Sequence, residues 1–239
     1  MKRFVLLFFA LAGFISSAAG QEQEITGFVY VSETPTPVPF ASVWLCDPAT
    51  GEPEYGTITA MNGWYDFGNV ATDQTYQLKI SGPGIRTRSK EIEIKYVPGR
   101  IGNIDYYIPV ERSADTVAFR PVETYRPKQI APDARTIEDL YSHIPGITYE
   151  DGYLTDENGA TVCLMFSGII PDEAGYAAIL TNLTADNIER IEYYRLDNLE
   201  EPYYDGVLNF VTVGVNFNAP SIKAVSYTHL RAHETGRNL

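Results

Sequence analysis

Six short runs between residues 25 and 108 are rich in β-branched and aromatic residues, and turn-forming residues separate each run from the next. They are residues 27–31 (GFVYV), 41–45 (ASVWL), 64–67 (WYDF), 76–80 (YQLKI), 91–96 (EIEIKY) and 105–108 (DYYI). In Tyr76, Leu78, Ile80 and again in Ile92, Ile94, Tyr96 the apolar residues recur at period two, which turns one strand face inward and one to water. Residues 35–39, Asp47-Pro48 with Gly51, Asn62-Gly63, Gly82-Pro83-Gly84 and Pro98-Gly99 supply the breaks. Asn62-Gly63 is the strongest hairpin signal, because both residues tolerate positive φ. Seventeen Tyr, 11 Phe, 19 Gly and 15 Pro suit turn-rich β structure and argue against a helical bundle. The pattern predicts an all-β sandwich over residues 21–110.

Neither end of the chain reads as part of a fold. Lys2 and Arg3 precede an apolar run over residues 4–15, and small residues follow to Gly20, which is the layout of a secretory signal peptide over residues 1–20. The run is too short to span a hydrocarbon core as a helix, and no cysteine follows it to accept a lipid. At the other end, residues 225–235 (VSYTHLRAHET) resemble a translated transposase-type sequencing adapter, so 225–239 is set aside as an artefact and 218–239 as tail. His229 and His233 fall there, and their H-x3-H spacing is not taken as a zinc site.

Beyond residue 131 the pattern mixes periods. Thr136 with Asp139 three residues on forms a capping-box start, and Ile137, Leu140, Tyr141 and Ile144 share one helical face before Pro145-Gly146 stops the helix. Residues 148–154 and 161–166 read as a hairpin about a turn at 156–159. Tyr176, Ile179, Leu180 and Leu183 predict a second amphipathic helix, with Thr184 as the cap before a strand over 188–194, and residues 207–213 form a closing strand. This predicts a small α+β domain over residues 131–217, reached through a stiff, non-helical linker at 111–130 in which Arg126-Pro127 and Ala131-Pro132 disfavour helix.

Charge and residue inventory narrow the function. With 18 Lys+Arg against 31 Asp+Glu the chain carries −13, which repels nucleic acid. Cys46 and Cys163 fall in different predicted domains and read as buried thiols, with an interdomain bridge as the other option. Outside the tail the lone histidine is His143, which has no second histidine to assist a nucleophile or a metal. Carboxylates such as Asp197, Glu200 and Glu201 read as a solvated face. No phosphate-cradling glycine motif precedes a helix. The reading is non-enzymatic, with no cofactor and no metal.

Residues 25–29 (ITGFV), 37–43 (PVPFASV), 57–65 (TITAMNGWY) and 76–81 (YQLKIS) resemble, in order, the G-x-V, P-h-x-x-A-x-V, T-x-x-x-G-x-[FY] and Y-x-L segments of the carboxypeptidase-regulatory-like family. That resemblance implies a non-catalytic, transthyretin-like sandwich. In the second half, residues 136–140 (TIEDL), 144–148 (IPGIT), Asp151-Gly152, 187–192 (NIERIE) and 205–212 (DGVLNFVT) resemble the plug domain of TonB-dependent outer-membrane receptors, of the type that carries such a sandwich ahead of its plug. The chain departs from that pattern at Ser167-Gly168, where an Asp-Gly pair is usual, and at Val213, where a basic residue is common.

The resemblance implies the N-terminal part of an exported receptor that gates nutrient uptake through an outer-membrane barrel. Residues 218–239 are too few to build that barrel, so the gene is expected to continue, and the fragment alone would lie in the periplasm. Asp115, Thr116, Val117, Ala118 and Phe119 resemble the TonB box, which would pair by strand addition with a TonB-type energising protein; an ordinary strand or linker at the entrance to the second domain is the other reading. The barrel of the full-length protein and a surface lipoprotein are the further partners implied. The rival class is a soluble periplasmic or cell-surface binding module, with Tyr193, Tyr194, Tyr203 and Tyr204 either lining its surface or packing against the sheet of the second domain.

Overall fold

The computed structural model describes residues 21–31, 36–83, 85–108, 120–150, 153–196 and 202–214. The strands are β1 (Glu22–Val31), β2 (Thr36–Pro37), β3 (Ser42–Cys46), β4 (Pro53–Ile58), β5 (Trp64–Ala71), β6 (Gln74–Gly82), β7 (Ile85–Ile94), β8 (Gly102–Asn103), β9 (Tyr106–Ile108), β10 (Glu123–Tyr125), β11 (Ile147–Glu150), β12 (Tyr153–Asp156), β13 (Val162–Phe166), β14 (Ile188–Arg195) and β15 (Gly206–Thr212). The helices are α1 (Pro127–Ile130), α2 (Ile137–Tyr141) and α3 (Glu173–Asn182), with a 3-10 turn at Ala185–Asn187.

The first nine strands form a β-sandwich. One sheet is built around β1, which pairs antiparallel with β2 and β5 and parallel with β8 and β9. The other runs β4-β3-β6-β7, all antiparallel. Alternate residues of both sheets meet between them: Ile25 and Val29 of β1, Val43 and Leu45 of β3, Tyr65 and Val70 of β5, and Leu78 and Ile80 of β6 are all buried in one cluster. Interdigitated apolar faces of this kind are what hold a sandwich together.

Asn62-Gly63 is a tight turn, with Gly63 at φ 81° and its N–H donating to the Ala60 carbonyl at 2.9 Å. It does not join two paired strands, as the hairpin expectation had it. β4 before it belongs to the second sheet and β5 after it to the first, so the turn carries the chain across the sandwich.

Residues 120–214 build a second unit around the sheet β10-β14-β15-β13, in which β13 and β15 run parallel and the other pairs antiparallel. Strict alternation gives this sheet two buried faces. Val162, Phe166, Ile191, Tyr193, Leu208 and Phe210 face α2, α3 and the β11–β12 hairpin. Cys163, Met165, Tyr194, Leu196 and Val207 face the sandwich. Burial on both sides explains why β13 and β15 read as nearly continuous apolar runs.

Two expectations need correction in this unit. The hairpin pairs β11 with β12, whereas β13 leaves for the main sheet, and Thr161, just before β13, forms an isolated bridge with Thr155. The turn at 156–159 forms even so, because the Asp156 carboxylate accepts from the N–H groups of Asn158 at 2.8 Å and Ala160 at 2.9 Å. Residues 123–130 are structured rather than a non-helical linker. Glu123–Tyr125 adds β10 to the sheet edge, and Pro127 occupies the first position of α1, where its missing N–H costs nothing. The capping box of α2 is present, with Thr136 Oγ1 accepting from Asp139 N at 3.0 Å and Asp139 accepting from Thr136 N at 2.9 Å.

Candidate functional site at the joint between the two units

The motif residues of the first half act as scaffold. Thr59, fully buried, donates from its hydroxyl to the Val38 carbonyl at 2.7 Å and accepts from Ala41 N at 2.8 Å, which ties the entry of β3 to the exit of β4. Tyr65 is buried, and its hydroxyl donates to the Ile104 carbonyl at 2.5 Å. Gly27 sits beneath that bond, and a Cβ there would overlap the Ile104 oxygen and lie 2.7 Å from the Tyr65 hydroxyl. Burial and the nearby Asp105 charge raise the Tyr65 hydroxyl above its ordinary range, so it remains a hydrogen-bond donor.

In the second unit the polar chemistry gathers on the sheet face that meets the sandwich. Glu192 and Asn209 lie directly opposite across β14 and β15. The Glu192 carboxylate accepts from Asn209 Nδ2 at 2.9 Å, Tyr194 Oη at 2.9 Å and Arg190 Nε at 2.8 Å. Burial pushes this carboxyl up, but the bonds from Asn209, Arg190 and Tyr194 outweigh it and hold the group below its usual range. Asn209 Oδ1 accepts in turn from Gly168 N at 2.8 Å.

Ser167 and Gly168, at φ 47° and 81°, form a left-handed turn fastened to the end of β15. The Ser167 hydroxyl lies 2.9 Å from that of Thr212 and accepts from Thr212 N at 3.1 Å. Serine thus performs a local fastening role at the departure from the expected Asp-Gly pair.

The sandwich presses on this turn. Met61, in the Asn62-Gly63 turn, donates its N–H to the Gly168 carbonyl at 2.9 Å, and its sulfur lies 3.7 Å from Asn209 Nδ2. Phe40 and Ile58 of the sandwich complete a buried cluster with Cys163, Met165, Tyr194, Leu196 and Val207. Phe40 holds φ 59°, an outlier for an aromatic residue, while its ring packs 4.8 Å from that of Tyr194. Farther along, Tyr203 N donates to Ser42 Oγ at 2.9 Å, and the Tyr203 ring meets Trp44 edge-on at 5.0 Å. Gly56 leaves room for both rings, since a Cβ there would lie 2.5 Å from Trp44 and 2.6 Å from Tyr203. Asp66 of β5 is raised above the usual carboxylate range, first by burial, with the N–H of Gly68 opposing and the charge of Asp172 in the second unit adding to it.

The residues singled out from sequence are distributed unevenly over this arrangement. Asp115, Thr116, Val117, Ala118 and Phe119 lie outside the described residues, as do Asp197, Glu200, Glu201, His229, His233, the signal segment and the tail. Tyr193 and Tyr194 are buried on opposite faces of the sheet, and Tyr203 and Tyr204 are half-buried at the joint. The four tyrosines therefore build no shared open surface. His143 is exposed, its Nδ1 2.8 Å from the Asp139 carbonyl. Cys46 and Cys163 are both buried thiols outside any disulfide, and burial pushes the Cys163 thiol up to about 12. Among the described residues no group of three or more His, Cys, Asp or Glu side chains is placed to hold a metal ion, and no helix is long and apolar enough to cross a membrane.

Sequence reasoning missed Met61 and Phe40 as contact residues. Met61 stood inside a recognised turn signal, and an apolar residue on a solvent-facing turn was the available hint; for Phe40 there was none.

Residues 24–104 match the family model for the carboxypeptidase regulatory-like domain. No curated protein matches the chain.

Proposed function

Taking residues 24–104 as a carboxypeptidase regulatory-like domain, we propose that the chain is the N-terminal part of a TonB-dependent outer-membrane receptor. The regulatory-like sandwich precedes a plug-like unit at residues 120–214, and the chain acts in gated uptake rather than in catalysis. The protein would be exported, and its plug-like unit would occupy a barrel supplied by the rest of the receptor. Residues 115–119 would be the segment offered to the energising partner by strand addition.

One observation carries most of the weight. The two segments with the closest plug resemblance, 187–192 and 205–212, are neighbouring antiparallel strands, and their polar residues Glu192 and Asn209 are buried together at the centre of the sheet.

The gene locus beyond codon 224 tests the reading. A continuation rich in alternating strands of about 9–11 residues with aromatic girdles supports it. A natural stop codon there overturns it in favour of a soluble binding module. Binding of a peptide covering residues 111–130 to the periplasmic domain of the energising protein tests the partner segment separately.

The binding-module reading has its own support. Phe28 and Tyr30 stack at 5.4 Å and 12°, and Tyr30 continues to the exposed Tyr107 at 5.7 Å, which places a strip of rings on the outer face of the first sheet. Such a strip is available to a ligand whether or not a barrel follows.

A further inference from the structure

We infer that the joint between sandwich and second unit is a latch: a contact that holds the two as one body at rest and separates before either unfolds. The inference goes beyond the transport reading and does not require it.

Each unit has a core of its own. One cluster is confined to the sandwich and another to the second unit, and the joint cluster is a third that draws two residues from the first and five from the other. Removing the joint leaves both larger clusters complete. Contiguous cooperative units are separated along boundaries of this kind.

The polar bonds across the boundary point the same way. Within the units, long ladders tie strands together, as in β6 with β7 and β14 with β15. Among the described residues no strand of the sandwich pairs with a strand of the second unit. The contact rests on turn and side-chain donors: Met61 N to the Gly168 carbonyl, Tyr203 N to Ser42 Oγ, and Asn209 Nδ2 to the Met61 sulfur. The negative charges of Asp66 and Asp172, which raise the Asp66 carboxyl across the boundary, favour release. Burial of Phe40, Ile58, Cys163, Met165 and Val207 opposes them and keeps the latch shut.

The latch also closes a ring. The chain passes from β9 of the sandwich to β10 of the second unit through residues 109–122, and the joint bridges the same two bodies a second time.

The two cysteines report on it. Cys163 lies in the joint cluster, whereas Cys46 is buried at the end of β3, within the sandwich. The test is alkylation of the 239-residue chain with N-ethylmaleimide in urea below the unfolding midpoint, read site by site by mass spectrometry. A latch labels Cys163 at least tenfold faster than Cys46, and Met61→Asp raises the Cys163 rate at least a further tenfold while Cys46 and the far-ultraviolet circular dichroism stay unchanged. Tyr203→Ala, which removes the contact with Trp44, shifts Cys163 in the same direction. Equal labelling of the two thiols at every urea concentration overturns the inference, as does a Met61→Asp chain in which both rates rise together or neither moves.

Discussion

Glu192 and Asn209 face each other across two antiparallel strands and share a 2.9 Å hydrogen bond on the sheet face that the sandwich covers. The same asparagine accepts from Gly168 N and approaches the Met61 sulfur, so one side chain touches the sheet, the turn and the neighbouring unit. An ionised carboxylate with three donors is stable in such a place, whereas a carboxylate stripped of one is not.

Asn209→Ala removes a donor from Glu192 and the acceptor for Gly168 N. The expected loss is about 2–4 kcal/mol in urea unfolding of the chain. A double-mutant cycle with Tyr194→Phe should give a coupling on the order of 1 kcal/mol, because both side chains bond the same carboxylate. Strict additivity would show that the network is not shared.

Gly168→Ala combines a left-handed backbone with a steric conflict, since the new Cβ would lie 2.6 Å from the Met61 sulfur. A destabilisation of about 1–3 kcal/mol is expected. Adding Met61→Ala removes the sulfur and Cγ conflicts but leaves the Met61 Cβ position 2.9 Å from the new atom, so part of the loss should return, down to no less than about 1 kcal/mol from the backbone. Failure of the second substitution to restore any stability would remove the assigned contact.

Gly27→Ala should be more damaging still, because the overlapping atom is the Ile104 backbone oxygen rather than a flexible side chain. Loss of more than about 3 kcal/mol, or failure to fold, is the expected outcome. Tyr65→Phe, which deletes the hydroxyl bonded to the same oxygen, should cost roughly 1–2 kcal/mol.

Acid titration should reveal two opposing groups of carboxylates. Asp139 is lowered by the N–H groups of Thr136 and Arg135; burial raises Asp156, but its backbone donors outweigh that and lower it; Glu192 is lowered by its three donors against burial. Their folded values lie below the unfolded ones, so their stabilisation is present above about pH 4–5 and is lost as pH falls. Asp66 is raised, so its contribution is present at low pH and lost as pH rises through its folded value. Asp66→Asn should therefore raise the melting temperature at pH 7 and leave it nearly unchanged at pH 3. An equal shift at both values would show that charge at Asp66 is not the cause.

Local chemistry was readable from the chain, and pairing was not. Short β-branched and aromatic runs located six of the nine sandwich strands, missing β2, β4 and β8, and Thr136 with Asp139 marked a helix start, because those signals depend on neighbours a few residues apart. Asn62-Gly63 marked a turn correctly. Nothing local could say that Trp64 would pair with Phe28, 36 positions upstream, rather than with the strand just left. Pro127 reads equally as the end of a helix and as its first residue, and the latter is found. The tyrosines at 193 and 194 read equally as a binding surface and as packing for the sheet, and the structure buries them on its two faces, the second dried by the sandwich. For the joint, the relevant partners lie more than 100 positions apart, as with Met61 and Gly168.

The parallel pairing of β13 with β15 brings the ends of both strands to one corner. Because β15 ends beside Ser167, the backbone departs from the same corner on which Met61 rests. Thr212 at the end of β15 and the backbone of Met61 thus hold the Ser167–Gly168 turn from the two units at once.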